Sequence, residues 1–269
     1  MNPARPVRLL QLTDPHLYQD ESRELYGVNT AATFRATLAK GLAESPGPLD
    51  AVLVTGDIAE DGLRGTYERF RTAMSGIGVP VLCIPGNHED RSILSSVLGS
   101  PPLQFGGSIR FPGWRVVMLD SHLQDSDAGL LEDGELERLD RELAAAGGEH
   151  VLVCLHHQPI PMGSPWLDGV GLQNGDALEA VLDRHDNVRA VLWGHVHQAS
   201  DRIHRGMRMM STPSTCAQFT PNTETCVMDL RPPGFRWLEL LPNGEISTEV
   251  VWLDELRQTE RPPDSRREG

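Results

Sequence analysis

The feature of this sequence that most limits its fold is a series of short runs that are apolar at nearly every position. Ala51-Val52-Leu53-Val54 is the clearest, and Val7 to Leu12, Val79 to Ile84, Trp114 to Leu119, Val151 to Leu155 and Val188 to Trp193 are of the same kind. A strand with one face in water alternates apolar and polar residues, so a run without that alternation is a strand buried on both faces. Amphipathic segments of helical period separate the runs: Thr30 to Ala43, Thr66 to Ile77, Arg91 to Leu98, Glu135 to Ala146 and Asp176 to Arg184. The alternation predicts βαβ units and a partly parallel sheet covered by helices, an α/β fold. From Met207 onward the helical period ceases. Met209 to Ser211, Thr225 to Leu230, Phe235 to Leu241 and Ile246 to Trp252 read as strands, with Pro242-Asn243-Gly244 as a hairpin turn.

No internal repeat or linker divides the chain, so residues 1–253 read as one domain. Residues 254–269 are charged, contain Pro262-Pro263 and read as a disordered tail. No apolar run is long enough to span a bilayer, and Val7 to Leu12 lacks the length and cleavage site of a signal peptide, so a cytoplasmic protein without a membrane partner is expected. The 4 cysteines have no CxxC spacing and are expected to be reduced. With 24 basic against 38 acidic residues and a net charge of -14, a nucleic-acid backbone is not an expected partner. Small anions remain compatible with an acidic chain if bound cations dominate the local field.

Five polar clusters each follow directly on an apolar run: Asp14-Pro15-His16, Gly56-Asp57, Gly86-Asn87-His88-Glu89, His156-His157 and Gly194-His195-Val196-His197. Each has an ordinary reading alone. Asp-x-His suits a helix cap, Gly-Asp and Gly-Asn suit turns, and a His pair suits the polar end of a strand. Their common placement is what sets them apart, because ligands of open α/β sheets bind outside the carboxyl ends of the strands. Side chains two apart on extended backbone point the same way, so Asp14 with His16, and His195 with His197, are expected to face one site. Six of the 10 histidines lie in these clusters. Oxygen and nitrogen donors without thiolate suit Mn, Fe or Zn, and their number exceeds the need of one ion. Two ions about 3.5 to 4 Å apart would clamp the attacking and departing oxygens of a displacement at phosphorus.

In this order the five clusters resemble the calcineurin-like metallophosphoesterase superfamily. A narrower likeness runs to about residue 255. The stretches Leu12 to Leu17, Leu25 to Thr30, Ser164 to Asp168, Gly171 to Asn174, Gly194 to Gln198 and Ser211 to Cys216 are similar to the bacterial class III cyclic 3',5'-AMP phosphodiesterases. The resemblance implies a four-layer αββα sandwich of two mixed β-sheets. It implies one ion held by Asp14, His16, Asp57 and His197 and another by Asp57, Asn87, His156 and His195, with Asp57 as the bridge. His88 would face the substrate phosphate and act with Asp57 in catalysis. His16, Asp57, Asn87, His88 and His197 would contact the cyclic nucleotide, and water made acidic by the ions would be the nucleophile. Glu89 would orient His88, and His157 would support the metal shell. Many relatives have Asp at position 89 and a third His at position 158, where this chain has Glu89 and Gln158.

The expected activity is hydrolysis of 3',5'-cyclic AMP to 5'-AMP by a monomer or homodimer. A broader phosphodiesterase acting on 2',3'-cyclic nucleotides is the nearest alternative, because a metal centre recognises phosphate and says little about the base. A scaffold of the same fold without catalysis is the alternative of another class. Phe219 or Tyr18 is the expected stacking partner of the adenine.

Overall fold

Every doubly apolar run forms a strand in the computed structural model, which describes residues 5–254. Most of the tail expected at 254–269 lies outside the described residues. The first half contains β1 (Val7–Leu12), the small hairpin β2 (Glu24–Leu25) and β3 (Val28–Asn29), α1 (Thr30–Ala43), β4 (Ala51–Thr55), α2 (Arg64–Ser75), β5 (Val81–Ile84), α3 (Arg91–Leu98) and β6 (Leu103–Phe105). The chain continues with β7 (Gly107–Phe111), β8 (Trp114–Met118), α4 (Asp133–Ala146), β9 (His150–Cys154), α5 (Pro165–Asp168), α6 (Gly175–Leu182) and β10 (Val188–Trp193). Only strands follow: β11 (Ser200–His204), β12 (Met207–Ser211), β13 (Gln218–Phe219), β14 (Met228–Asp229), β15 (Gly234–Leu240) and β16 (Ile246–Trp252).

Two six-stranded sheets result, in the orders β16-β15-β1-β4-β5-β6 and β11-β12-β10-β9-β8-β7. Both are mixed. β1, β4, β5 and β6 run parallel, as do β12, β10, β9 and β8, while antiparallel strands complete each sheet. The apolar runs are explained by two-sided burial. In β4, Ala51 and Leu53 point between the sheets against Trp114, Leu152 and Leu192, whereas Val52 and Val54 point outward against Phe34, Phe70 and Leu94 of the helices. Helices α4 to α6 cover the other sheet through Leu139, Leu143, Leu178 and Leu182. The four layers expected from the resemblance are those observed. No described helix is long and apolar enough to cross a membrane.

The strand expected over Thr225 to Leu230 shortens to Met228–Asp229. Its residues are largely exposed, and Val227 and Leu230 have no core to face. The strands β6, β7 and β11 and the β2–β3 hairpin escaped the sequence reading because they are short or lie at sheet edges, where the apolar pattern is weak.

One polar group is built into the layer between the sheets, directly beneath the strand ends. Gln11 donates to Thr55 Oγ1 at 2.9 Å, and Thr212 donates to Gln11 Oε1. The buried guanidinium of Arg236 has no carboxylate partner among the described residues. It donates to Thr212 Oγ1 at 3.1 Å, Thr248 Oγ1 at 3.1 Å, Ser200 O at 3.0 Å and Ser211 O at 2.8 Å. These hydrogen bonds tie the two sheets together at the end where the polar clusters emerge.

Leu53 is fully enclosed between the sheets, whereas Leu230 is 99% exposed. Leu53→Ala is expected to lower the free energy of urea unfolding by roughly 2–5 kcal/mol through lost transfer energy and an unfilled cavity. Leu230→Ala should change it by no more than about 0.5 kcal/mol.

Candidate metal centre

The five clusters leave the carboxyl ends of β1, β4, β5, β9 and β10 and meet in one place. The backbone route differs from the extended one expected. Asp14, His16, Asp57, His195 and His197 all take positive φ, at 51°, 46°, 51°, 63° and 49°. None is glycine or asparagine, so each occupies a sparsely populated conformation. The turns are held by hydrogen bonds between loops: Asp14 N donates to Gly56 O at 3.1 Å, His16 N to Asp57 O at 2.9 Å and Leu17 N to Ile58 O at 2.9 Å. The side chains two apart do converge, but through left-handed turns that end the strand and aim both residues inward.

Asp57 Oδ2 stands between two groups. On one side His16 Nε2 is 3.7 Å from it, His16 Nε2 and His197 Nε2 are 3.1 Å apart, and Asp14 Oδ1 is 3.4 Å from His197 Nε2. On the other, His156 Nε2 is 3.4 Å from Asp57 Oδ2, 3.2 Å from Asn87 Oδ1 and 3.2 Å from His195 Nδ1. The seven residues expected as ligands are therefore together, and all but Asn87 are buried.

The donor chemistry of this cluster tests whether cations fit. His16 Nδ1 is 2.8 Å from Glu60 Oε2, His156 Nδ1 is 2.7 Å from Thr55 O, and His197 Nδ1 is 2.7 Å from Ala217 O. Each of these outer contacts uses the ring's one neutral N–H, which leaves a lone pair on the inward nitrogen. Lone pairs then face one another, a carbonyl oxygen and two carboxylates within about a hydrogen-bond length. Such a set repels itself unless positive charge sits among its members. Without ions protons supply it: burial would lower His156, yet Asp57 raises it to about 9. Divalent ions fit the same place once those protons leave.

Titration follows the same geometry. Burial would raise Asp57, yet His156 and His88 hold its carboxyl well below the usual range. Burial and the neighbouring His156 push His195 down to about 3, so its ring is neutral and able to bind a metal. The neighbour that the sequence reading missed is Glu60. Its carboxylate lies 2.8 Å from His16 Nδ1 and 3.0 Å from His88 Nδ1, and despite burial these two rings lower it to about 2. The available signal was its position three residues after Asp57, on the same loop. Burial alone would lower His88, but Asp57 and Glu60 raise it to about 10.

Two supporting assignments change. Glu89 does not orient His88. Its carboxylate accepts from the backbone N–H groups of Asp57 and Ala59, both at 3.0 Å, and of Gly86, so it binds two ligand loops together. Burial and the Asp57 charge raise it to about 7. Tyr18 lies outside the cavity, packed against Arg23 at 4.3 Å. His157 does stand beside the cluster, its ring 4.8 Å from those of His156 and His195 and its Nδ1 2.8 Å from Ser121 Oγ.

A cavity of about 310 Å³ opens onto the cluster. His16, Asp57, Asn87, His88, His195 and His197 are its polar lining, and Tyr26, Trp166, Val170 and Phe219 its apolar lining.

Residues 7–199 match the family described as calcineurin-like phosphoesterase. The chain is 36% identical to the 3',5'-cyclic adenosine monophosphate phosphodiesterase CpdA of Pseudomonas aeruginosa over 93% of its length and 91% of that protein. It is 37% identical to the CpdA of Haemophilus influenzae over 98% of its length and 95% of that protein. Among solved structures, a dimetal phosphatase from Danio rerio is similar in fold, with a TM-score of 0.62 at 17% identity, covering 93% of this chain and 99% of that one.

A self-repelling acceptor cluster predicts that Mn added to metal-stripped protein raises its melting temperature. A concentration 1,000 times Kd adds roughly 4 kcal/mol. Calorimetry should show that Asp57→Ala abolishes the rise and that Glu60→Ala weakens Mn binding by about 10–100-fold, the usual effect of losing a partner behind a ligand.

Proposed function

Because this chain belongs to the calcineurin-like phosphoesterase family, we propose that it is a 3',5'-cyclic-AMP phosphodiesterase that opens the cyclic phosphate to give 5'-AMP and so lowers cyclic AMP in the cytoplasm. The observation that carries this reading is the gathering of six further metal-competent side chains around Asp57, beside a cavity lined in part by aromatic rings. The relatives similar over nearly the whole chain are phosphodiesterases of this substrate by name.

Asp14, His16, Asp57 and His197 would hold one ion and Asp57, Asn87, His156 and His195 the other, with Fe or Mn the metals best suited to this mixed nitrogen and oxygen set. The ions, when bound, neutralise phosphate charge and lower the pKa of water so that a nucleophile is available at neutral pH. The chain's own part is to hold these ligands, to exclude most solvent and to place a proton. The outer nitrogens of His16, His156 and His197 are anchored to Glu60, Thr55 and Ala217, which fixes the ring planes before substrate arrives.

His88 is the residue we assign to proton donation. Its Nδ1 forms an ion pair with Glu60 Oε2 at 3.0 Å, its Nε2 lies 4.0 Å from Asp57 Oδ2, and the ring lines the cavity. From there it can donate to a non-bridging oxygen or to the leaving 3'-oxygen as the P–O3' bond breaks. The complete set of inward ligands gives no support to a scaffold that has lost catalysis.

Metal-stripped protein should convert 3',5'-cyclic AMP to 5'-AMP only after Mn is restored, and faster than it turns over 2',3'-cyclic AMP or bis-p-nitrophenyl phosphate. Turnover of the comparison substrates alone would discard the cyclic-AMP reading. His88→Ala should keep both metals by elemental analysis while kcat falls about 10²–10⁴-fold, the usual contribution of a positioned proton donor.

A further inference from the structure

The cavity of about 310 Å³ beside the metal centre is lined both by the metal-competent side chains and by the rings of Tyr26, Trp166 and Phe219. Cations held by the cluster around Asp57 would draw a phosphate there, which leaves the uncharged base of a nucleotide to meet the aromatic part of the lining.

The three rings are not equally free. Phe219 is 8% exposed, stacked on His197 at 4.4 Å with an interplanar angle of 14°, and meets Trp166 at 5.2 Å and 87°. One of its faces is thus occupied in holding a site histidine. Trp166 is half-buried, with Nε1 donating to Thr223 Oγ1 at 3.4 Å. Tyr26 is 56% exposed, with its ring 6.1 Å from that of Phe219 at 78°. It sits at the tip of the β2–β3 hairpin, where Tyr26 and Gly27 have φ of 51° and 77°. A two-residue hairpin turn with both residues left-handed ordinarily takes Asn-Gly. Tyrosine in the first position is a strained choice with no local compensation, and strain of this sort is characteristic of residues held for a ligand.

We propose that Tyr26, with Trp166 behind it, forms a nucleobase subsite in which the phenol ring stacks on the base of the cyclic nucleotide. The inference rests on reading the neighbouring centre as a cyclic-nucleotide phosphodiesterase, and it assigns the base-binding surface of that enzyme to a hairpin tip. Where Asn-Gly is the ordinary choice, this turn carries a large flat ring that lines the cavity. Every base has a π-face, so stacking here supplies affinity for nucleotides as a class over phosphodiesters without a base.

The test compares kcat/KM for 3',5'-cyclic AMP with that for the abasic ribose 3',5'-cyclic phosphate, using the metal-loaded enzyme. In Tyr26→Asn the ratio of the two constants should fall about tenfold or more, while the melting temperature is no lower than that of the natural chain because the turn strain is relieved. Tyr26→Phe should keep the ratio. A ratio unchanged in Tyr26→Asn overturns the subsite, whether both constants hold or both fall together. Calorimetric binding of adenosine requires no turnover and separates the two readings. If the natural chain hydrolyses neither cyclic phosphate yet binds adenosine about tenfold or more tightly than Tyr26→Asn does, the catalytic reading fails and the subsite stands. Equal adenosine affinity in the two proteins overturns the subsite whatever the turnover.

Discussion

The structure depends on a repulsion. Around Asp57 the chain gathers imidazole lone pairs, carboxylate oxygens and an amide oxygen at separations of 3.1 to 3.7 Å. Neutral rings cannot satisfy this set, because the outer nitrogens of His16, His156 and His197 use their hydrogens on Glu60, Thr55 and Ala217, so added positive charge, as protons or as cations, has to sit inside it. The rest of the fold must hold these groups together until cations offset the cost. That demand accounts for the five left-handed residues among the candidate ligands, for Glu89 clamping two loops by their backbone, and for the polar group between the sheets.

That polar group is the lever by which remote strands act on the site. Arg236 comes from β15, near the end of the chain, and holds the carbonyls of Ser200 and Ser211 together with the hydroxyl of Thr212. The same loop continues to Ser214, whose hydroxyl donates to Asp14 O at 2.7 Å, and to Thr215, whose N–H donates to Thr13 O at 3.0 Å. The backbone of a candidate ligand is thus pinned by a segment some 200 residues away. A buried guanidinium without a carboxylate is costly unless its donors are met, and here four neutral oxygens meet them. Close packing adds a further restriction at Gly56, where φ is 100° and a side chain would collide with His156 Nδ1.

The sequence made the layers and the ligand set legible for one physical reason: both are encoded by adjacency. A run such as Ala51 to Val54 can only be a strand covered twice, and a polar pair directly after it can only lie at a strand end. Glu60 was hard to read because its role arises across loops, from His88 on a different strand connection, and its place three residues after Asp57 does not by itself separate it from a solvated acid. Glu89 follows His88 directly, which favoured the wrong pairing. In the fold, adjacent side chains diverge and Glu89 turns inward to the backbone of Asp57 and Ala59. The extended geometry expected of Asp14-x-His16 failed similarly, since periodicity describes the strand and these residues begin where it stops.

Tyr18 and Tyr26 show how the same limit bears on specificity. Both lie on the excursion between β1 and α1, and Tyr18 is nearer in sequence to the ligand His16. In the fold it does not line the cavity, since Leu17 bridges to Ala59 and Tyr18 packs against Arg23. The β2–β3 hairpin brings the chain back, so that Tyr26 returns to the cavity mouth. A metal centre built from strand ends is blind to the base of its substrate, because the strand ends see only phosphate. Discrimination among phosphate esters has to come from segments that the sheet does not constrain, and a hairpin free of both sheets can exchange its tip residue without moving any ligand. On that division of labour the strand ends set the chemistry, and the loops over the cavity set which ester undergoes it.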